Sequence, residues 1–106
     1  MISDHRKNAR VSFFSGGDIY RQPDGERVGR ILIKDVSATG LRVETLESLK
    51  QGEQVFIDFQ IRETLFKRIP VRVERIQSHA GSFLSGLSFQ REDVRTKVQE
   101  ALRSMI

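Results

Sequence analysis

The sequence contains no cysteine and only two histidines, His5 and His79. The absence of cysteine excludes disulfides, thiolate zinc ligands and a cysteine nucleophile, and it is consistent with a reducing compartment. A histidine-based metal site or catalytic triad would need both histidines in one place, so we expect neither a metal nor a cofactor. A glycine-rich phosphate loop and a nucleophile elbow are also missing, and we predict that the protein is not an enzyme. A pair of carboxylates assembled by the fold, as in glycosidases, stays open as an alternative.

Long hydrophobic runs are absent as well. Residues 31–33 and 55–57 are among the longest apolar runs, far below the ~18 consecutive apolar residues of a membrane-spanning helix. Residues 1–7 become charged at once and lead into no apolar segment of the length that a signal peptide needs. We therefore expect a soluble, cytoplasmic protein that does not insert into membranes.

The charged residues are mixed in sign, with a small positive excess. The 106 residues, enough for one compact domain, include 18 basic and 14 acidic side chains, and 13 of the basic ones are arginine. Arginine presents a planar fork of donors that grips phosphate or a guanine edge through two hydrogen bonds at a time. A net charge of +4 does not demand a long polyanion, which disfavours nucleic acid, and a solvated mixed surface explains most of these charges.

Alternation of apolar and polar residues dominates the middle of the sequence and predicts half-buried β-strands. We predict six strands, at residues 11–20, 30–36, 41–43, 55–61, 69–73 and 83–89. The first is interrupted at residues 15–17, where two glycines indicate a bulge or bend. The second is expected to be more fully covered, because Ile31, Leu32 and Ile33 are consecutive. In the fourth, Asp58 falls on the polar face.

Turn signals separate these strands, and the strongest is the Gln-Pro-Asp-Gly stretch at 22–25. Six strands with short connections and no intervening helices predict a mainly β fold, a six-stranded antiparallel β-barrel, with a sandwich as the alternative. Near the end the period becomes helical, which predicts a C-terminal α-helix over residues 93–105 with its apolar stripe packed on the barrel. Residues 1–9 are polar and predict a flexible arm, so that residues 10–106 form the single folded domain.

Two motifs provide candidate binding residues. Arg6 and Arg10 form an R-x-x-x-R pattern around the end of the predicted arm, and Asp35, Ser37 and Gly40 form a D-x-S-x-x-G pattern at the end of a strand. The arginine pattern recurs elsewhere in this arginine-rich chain and is unspecific by itself. The second pattern would arise by chance only on the order of 0.04 times in a chain of this composition.

The chemistry of these residues suits an anionic purine ligand. An ionised aspartate only accepts hydrogen bonds, which matches the N–H donors on the Watson–Crick edge of guanine, and a neighbouring serine both donates and accepts. Gly40 either leaves room for the close approach of backbone or ligand or supplies a positive φ in the turn. Arg6 and Arg10 offer forks to phosphate or guanine. A solvated arm and an ordinary strand-end turn explain the same residues without a ligand.

The order and placement of the two motifs, followed by the predicted strands and the terminal helix, resemble the PilZ domain, the bacterial receptor module for cyclic di-GMP. Residues 86–89, Gly-Leu-Ser-Phe, are similar to the family's late Gly-x-x-Phe strand. The resemblance covers nearly the whole chain. It implies a six-stranded antiparallel β-barrel with the arginine arm folded over a ligand on the barrel surface.

Carried over to this chain, the resemblance implies that Arg6 and Arg10 grip phosphate and guanine. It implies further that Asp35 and Ser37 bind a guanine edge and that Gly40 shapes the turn. The protein would then be a free-standing receptor or adaptor that passes the second-messenger signal to an unidentified protein effector.

The residue before the first arginine influences, in this family, whether one cyclic di-GMP or a stacked pair is bound. Here it is His5, neither arginine nor apolar, so the stoichiometry stays open and His5 and Lys7 are secondary candidates for ligand contact. Two other hypotheses compete with the receptor. One is a small basic barrel that binds single-stranded nucleic acid, with Phe14, Tyr20 and Phe56 as stacking rings, and the other is a nucleotide-independent interaction scaffold.

Overall fold

The computed structural model describes residues 11–104, with side chains from Ser15 onward. It contains six strands and one helix. These are β1 (Val11–Tyr20), β2 (Arg27–Ser37), β3 (Gly40–Thr45), β4 (Gln54–Ile61), β5 (Thr64–His79), β6 (Ser82–Phe89) and α1 (Glu92–Arg103). The strands form a closed barrel in the order β1-β2-β3-β6-β5-β4, and every neighbouring pair is antiparallel. The predicted six-stranded antiparallel barrel with a C-terminal helix is thus confirmed.

Alternate residues of each strand point into the barrel and form its core, as the period of two requires. In the middle of the core the ring of Phe59 stacks on Phe66 and Phe89, with ring centroids 4.6 Å and 6.0 Å apart. The apolar stripe of α1 is buried and packs on the barrel against β2, β4 and β6, as predicted. The helix begins at Glu92 and ends at Arg103, and Met105 lies outside the described residues.

The structure corrects several details of the predicted strands; β5, for example, runs from Thr64 to His79 rather than over residues 69–73. Strand β2 is not fully covered, because Leu32 is 40% exposed on the outer face while Ile31 and Ile33 are buried inside. Strand β1 is continuous from Val11 to Tyr20 rather than interrupted, but the expected bulge is present slightly earlier than predicted, as a register shift between Ser12 and Ser15. A side chain at the neighbouring Gly17 would collide with the backbone of β4, which explains a glycine there better than a break does.

The seam between β1 and β4 is short. Strand β1 is paired with β2 from end to end, but within the described part of the chain only residues 18–20 of β1 pair with β4. By contrast, β4 and β5 pair along nearly the whole of β4. As for membranes, no helix among residues 11–104 is long and apolar enough to span one.

Candidate functional site

The D-x-S-x-x-G motif forms the hairpin that joins β2 to β3. Ser37 is fully buried and pairs with Gly40 across the hairpin. Its hydroxyl accepts a hydrogen bond from the Thr39 backbone N–H at 3.3 Å and donates to the Gly40 carbonyl oxygen at 3.4 Å. The serine therefore closes the turn through local backbone contacts, which is the role that such residues often have at strand ends.

A bulge turns Asp35 away from the core. The β2–β3 ladder shifts register between Ile33 and Asp35, so that Lys34 is an extra residue in β2. Strict alternation would put Asp35 on the same inward face as Ile33, whereas the bulge places Val36 inside and pairs Asp35 with Arg42 on the outer face of the barrel, where the aspartate is only 5% exposed. There the Asp35 carboxylate is bound by the guanidinium of Arg42, its cross-strand partner, with Nη2 2.8 Å from Oδ2.

Gly40 lies where two backbones pack so closely that only glycine fits. A Cβ atom built at this position would lie 2.0 Å from the carbonyl oxygen of Leu87 in β6. Among the described glycines, positive φ angles occur at Gly52 and Gly81 and not at Gly40. Of the two roles expected for Gly40, the structure therefore shows close approach and not a left-handed turn.

A pocket of about 510 Å³ opens beside this hairpin on the outer face of β3, β5 and β6. Its walls come from residues 39–42, from Glu74, Arg75 and Gln77 of β5, and from residues 84–88 of β6. The charged side chains that line it are thus two arginines and one glutamate. Its size suits a small organic ligand, and its guanidinium groups suit an anionic one.

Sequence reasoning missed the two arginines of this pocket. A signal existed for Arg42, since a residue two positions after Gly40 in a strand lies on the same face as Gly40. No local signal existed for Arg75. Its position opposite Gly86 follows from the pairing of β5 with β6 and from a register shift between Val73 and Arg75.

The aromatic residues considered for nucleic-acid stacking do not form a free platform. Tyr20 is buried, its hydroxyl donates to Asp58 at 3.0 Å, and the guanidinium of Arg68 covers the ring at 3.4 Å from the centroid. Burial, and then the hydrogen bond to Asp58, raise the pKa of Tyr20 above its ordinary value. Phe56 is half-buried, and the side chain of Phe14 lies outside the described part.

Asp58 itself differs from the sequence prediction. It was expected on the exposed polar face of β4 but is 8% exposed, because a register shift between Ile57 and Phe59 lies at this point of the β4–β5 ladder. Its carboxylate accepts the backbone N–H of Arg68 at 2.6 Å as well as the Tyr20 hydroxyl. The group is a structural junction of β1, β4 and β5.

The remaining predicted site residues, Arg6, Arg10, His5 and Lys7, lie outside the described residues. Their assignment to ligand binding stays a prediction. Among residues 11–104 no group of three or more histidine, aspartate or glutamate side chains is arranged to hold a metal ion.

Comparisons with known proteins agree with the fold. The model of the PilZ domain family matches residues 4–106. The crystal structure of YcgR from Escherichia coli, in complex with c-di-GMP, superposes with a TM-score of 0.73 at 16% sequence identity, over 95% of this chain and 46% of YcgR. The Bacillus subtilis inhibitor of motility, MotI/DgrA, gives a TM-score of 0.69 at 21% identity, over 96% of this chain and 52% of that protein. The chain thus spans about half the length of each structure. None of the curated proteins matches the sequence significantly.

Proposed function

Because the chain belongs to the PilZ domain family, we propose that it is a receptor module for cyclic di-GMP. The observation that carries the proposal is the place of Asp35. A bulge turns this carboxylate onto the outer face, in the strand next to the one that lines the 510 Å³ pocket. An outward carboxylate beside a pocket with two guanidinium groups matches a ligand that combines guanine bases with phosphates.

In this proposal each residue of the hairpin has a separate role. Asp35 accepts hydrogen bonds from the N1–H and N2–H donors of one guanine. Ser37 is fully buried and bonded within the turn, so it acts by holding the hairpin in shape. Gly40 acts by letting β3 and β6 approach closely at the edge of the pocket.

The backbone register supports a site shared with the arginine motif. Val11 pairs with Val36 and Ser12 pairs with Asp35, so β1 begins directly opposite the hairpin. Arg10 is the residue before Val11 in the sequence. We propose that Arg10, together with Arg6, supplies forked donors to phosphate and guanine.

As a receptor, the protein acts by binding rather than by catalysis. We propose that it works in the cytoplasm and passes the signal to a protein effector through the surface that the ligand completes. The complex of YcgR with c-di-GMP and the name of MotI as an inhibitor of motility support this type of role. The buried ring of Tyr20 offers no support to the competing nucleic-acid hypothesis.

Titration calorimetry with cyclic di-GMP tests the proposal. Asp35→Asn keeps the shape of the side chain but removes a charged acceptor, and base contacts of this kind are worth about 1–3 kcal/mol, so we expect binding at least about fivefold weaker. Asp24→Asn is the matched control, because Asp24 is exposed in the turn at the opposite end of the β1–β2 hairpin. No binding heat for the wild-type protein at tens of micromolar ligand, or equal affinities for the two variants, would overturn the proposal.

A further inference from the structure

One row of residues crosses the outer face of four strands at the pocket. Asp35 of β2 pairs with Arg42 of β3, Arg42 pairs with Gly86 of β6, and Gly86 pairs with Arg75 of β5. Neighbouring strands are about 4.8 Å apart, so the backbones of the two arginines stand roughly 10 Å from each other. Because the residue between them is glycine, no side chain fills the space over Gly86.

Two bulges place Asp35 and Arg75, the two ends of this row, on the outer face of the barrel. The first, between Ile33 and Asp35, turns Asp35 outward. The second lies between Val73 and Arg75 and makes Glu74 and Arg75 consecutive exposed residues, so that Arg75 faces outward opposite Gly86. Without it, strict alternation from the buried Val73 would direct Arg75 into the core.

The two arginines differ in their partners. Arg42 has a side chain that is 54% exposed and binds Asp35. The exposed guanidinium of Arg75 has no hydrogen bond or ion pair with any other residue of the described part. Glu74, the negative group of the pocket, accepts a hydrogen bond from the Ser88 hydroxyl at 2.6 Å. Ser88 belongs to the neighbouring row, so this contact draws the Glu74 carboxylate away from Gly86.

We propose that Arg42 and Arg75 form an anion clamp, two guanidinium groups that bind the phosphates of the ligand from either side of Gly86. The inference rests on the proposed function, because it takes the ligand to be the dinucleotide that Asp35 recognises. In the complex Arg42 contacts both Asp35 and the ligand. It keeps the carboxylate in place while it donates its remaining N–H groups to a phosphate. Gly86 provides the floor on which the ligand lies.

A different role for Arg42 gives the opposite result. If Arg42 only competed with the ligand for Asp35, its removal would take away one competing partner of the carboxylate and strengthen binding. If Arg42 belongs to the clamp, its removal takes away a charged donor and weakens binding. The sign of the change in affinity therefore distinguishes the clamp from a competitor.

Titration calorimetry with cyclic di-GMP on the full chain tests the clamp. We expect Arg42→Ala and Arg75→Ala each to weaken binding at least tenfold. Arg30→Ala is the matched control, since it removes the same charge from an exposed position on the outer face of β2, where the one ion pair of Arg30 within residues 11–104 is a 3.5 Å contact with Asp18. We expect this control to change the affinity less than twofold.

A steric variant tests the floor without altering charge. A Cβ atom at Gly86 would meet nothing closer than the Cβ atom of Arg75 at 3.7 Å, so the strand has room for a Cβ atom there, and β-branched residues are favoured in strands. We expect Gly86→Val to keep the thermal unfolding midpoint of the wild-type protein while weakening binding at least tenfold. Unchanged affinity in this variant would mean that the ligand does not lie over Gly86.

The outcomes separate the two proposals. If the wild-type protein does not bind cyclic di-GMP, the proposed function and the clamp both fall. Suppose that the wild-type protein binds cyclic di-GMP. If the two arginine variants then bind as tightly as the wild-type protein, or Arg42→Ala binds more tightly, the clamp is wrong and the proposed function stands. An equal loss in Arg30→Ala would show a general effect of positive charge and would also overturn the clamp.

Discussion

Replacing Gly40 by alanine is expected to destabilise the barrel severely, although the change adds a single methyl group. The added Cβ atom would lie 2.0 Å from the carbonyl oxygen of Leu87, and Cβ atoms in proteins essentially never come within 3.0 Å of another atom. The two backbones must therefore separate by about 1 Å. The hydrogen bond from the Phe89 N–H to the Thr39 carbonyl, now 2.9 Å long, lies beside this contact and would be stretched or lost.

The expected cost follows from these two effects. Overpacking of this kind costs about 1–3 kcal/mol, and a buried backbone group that loses its partner costs about 1–3 kcal/mol more. We therefore expect Gly40→Ala to lower the free energy of unfolding by about 3 kcal/mol or more. For a domain of this size, that corresponds to a fall of at least about 12 °C in the thermal unfolding midpoint.

Gly86→Ala is the matched comparison, because it is the same substitution in the strand that Gly40 faces. There the nearest atom to the new Cβ is 3.7 Å away, and loss of glycine flexibility in the unfolded chain stabilises by about 0.4–1 kcal/mol. Circular dichroism melts measure the thermal unfolding midpoints of both variants. If Gly40→Ala melts within 3 °C of the wild-type protein, close approach does not explain the last glycine of the motif.

Two further predictions concern polar groups that do not line the pocket. Tyr20→Phe removes one of the donors to the buried Asp58 carboxylate and is expected to cost about 1–2 kcal/mol in urea unfolding, with no change in the affinity for cyclic di-GMP. An unchanged urea midpoint would contradict it. Hydrogen bonds from Ser82 and Lys34 hold the pKa of Glu44 below its ordinary value. The ionised Glu44 therefore stabilises the folded state above its unfolded pKa, and this contribution is lost as the pH falls through its folded pKa. Glu44→Gln should therefore flatten the acid side of the stability–pH curve, and a curve parallel to that of the wild-type protein would refute this.

Periodicity in the sequence predicted the strands and the helix because it reports which face of an element is buried. Val55, Ile57 and Phe59 alternate strictly, and the structure buries all three. The same reasoning failed at Leu32, where three consecutive apolar residues suggested cover on both faces. A closed barrel is a single sheet with one interior. Residues on its other face therefore point outward even when they are apolar.

The candidate site was predictable only in part, because bulges change which face a residue occupies. The motif indicated Asp35, but counting by twos from Ile33 would have placed it in the core. Arg42 and Arg75 become neighbours of Gly86 only through pairing between segments that are distant in sequence. Such pairing leaves no local pattern in the sequence, so the pocket could be identified only in the structure.

The short seam between β1 and β4 has a consequence for the kinetics of the barrel. Strands held together along a short length separate at a lower free energy than fully paired ones, and local opening of this kind governs the exchange of backbone amides with solvent. We expect residues 11–17, which are paired on one side with β2, to exchange faster than the amides of β5 and β6. Ser12 lies opposite Asp35 in this stretch, so slowed exchange there would report an occupied site from the neighbouring strand.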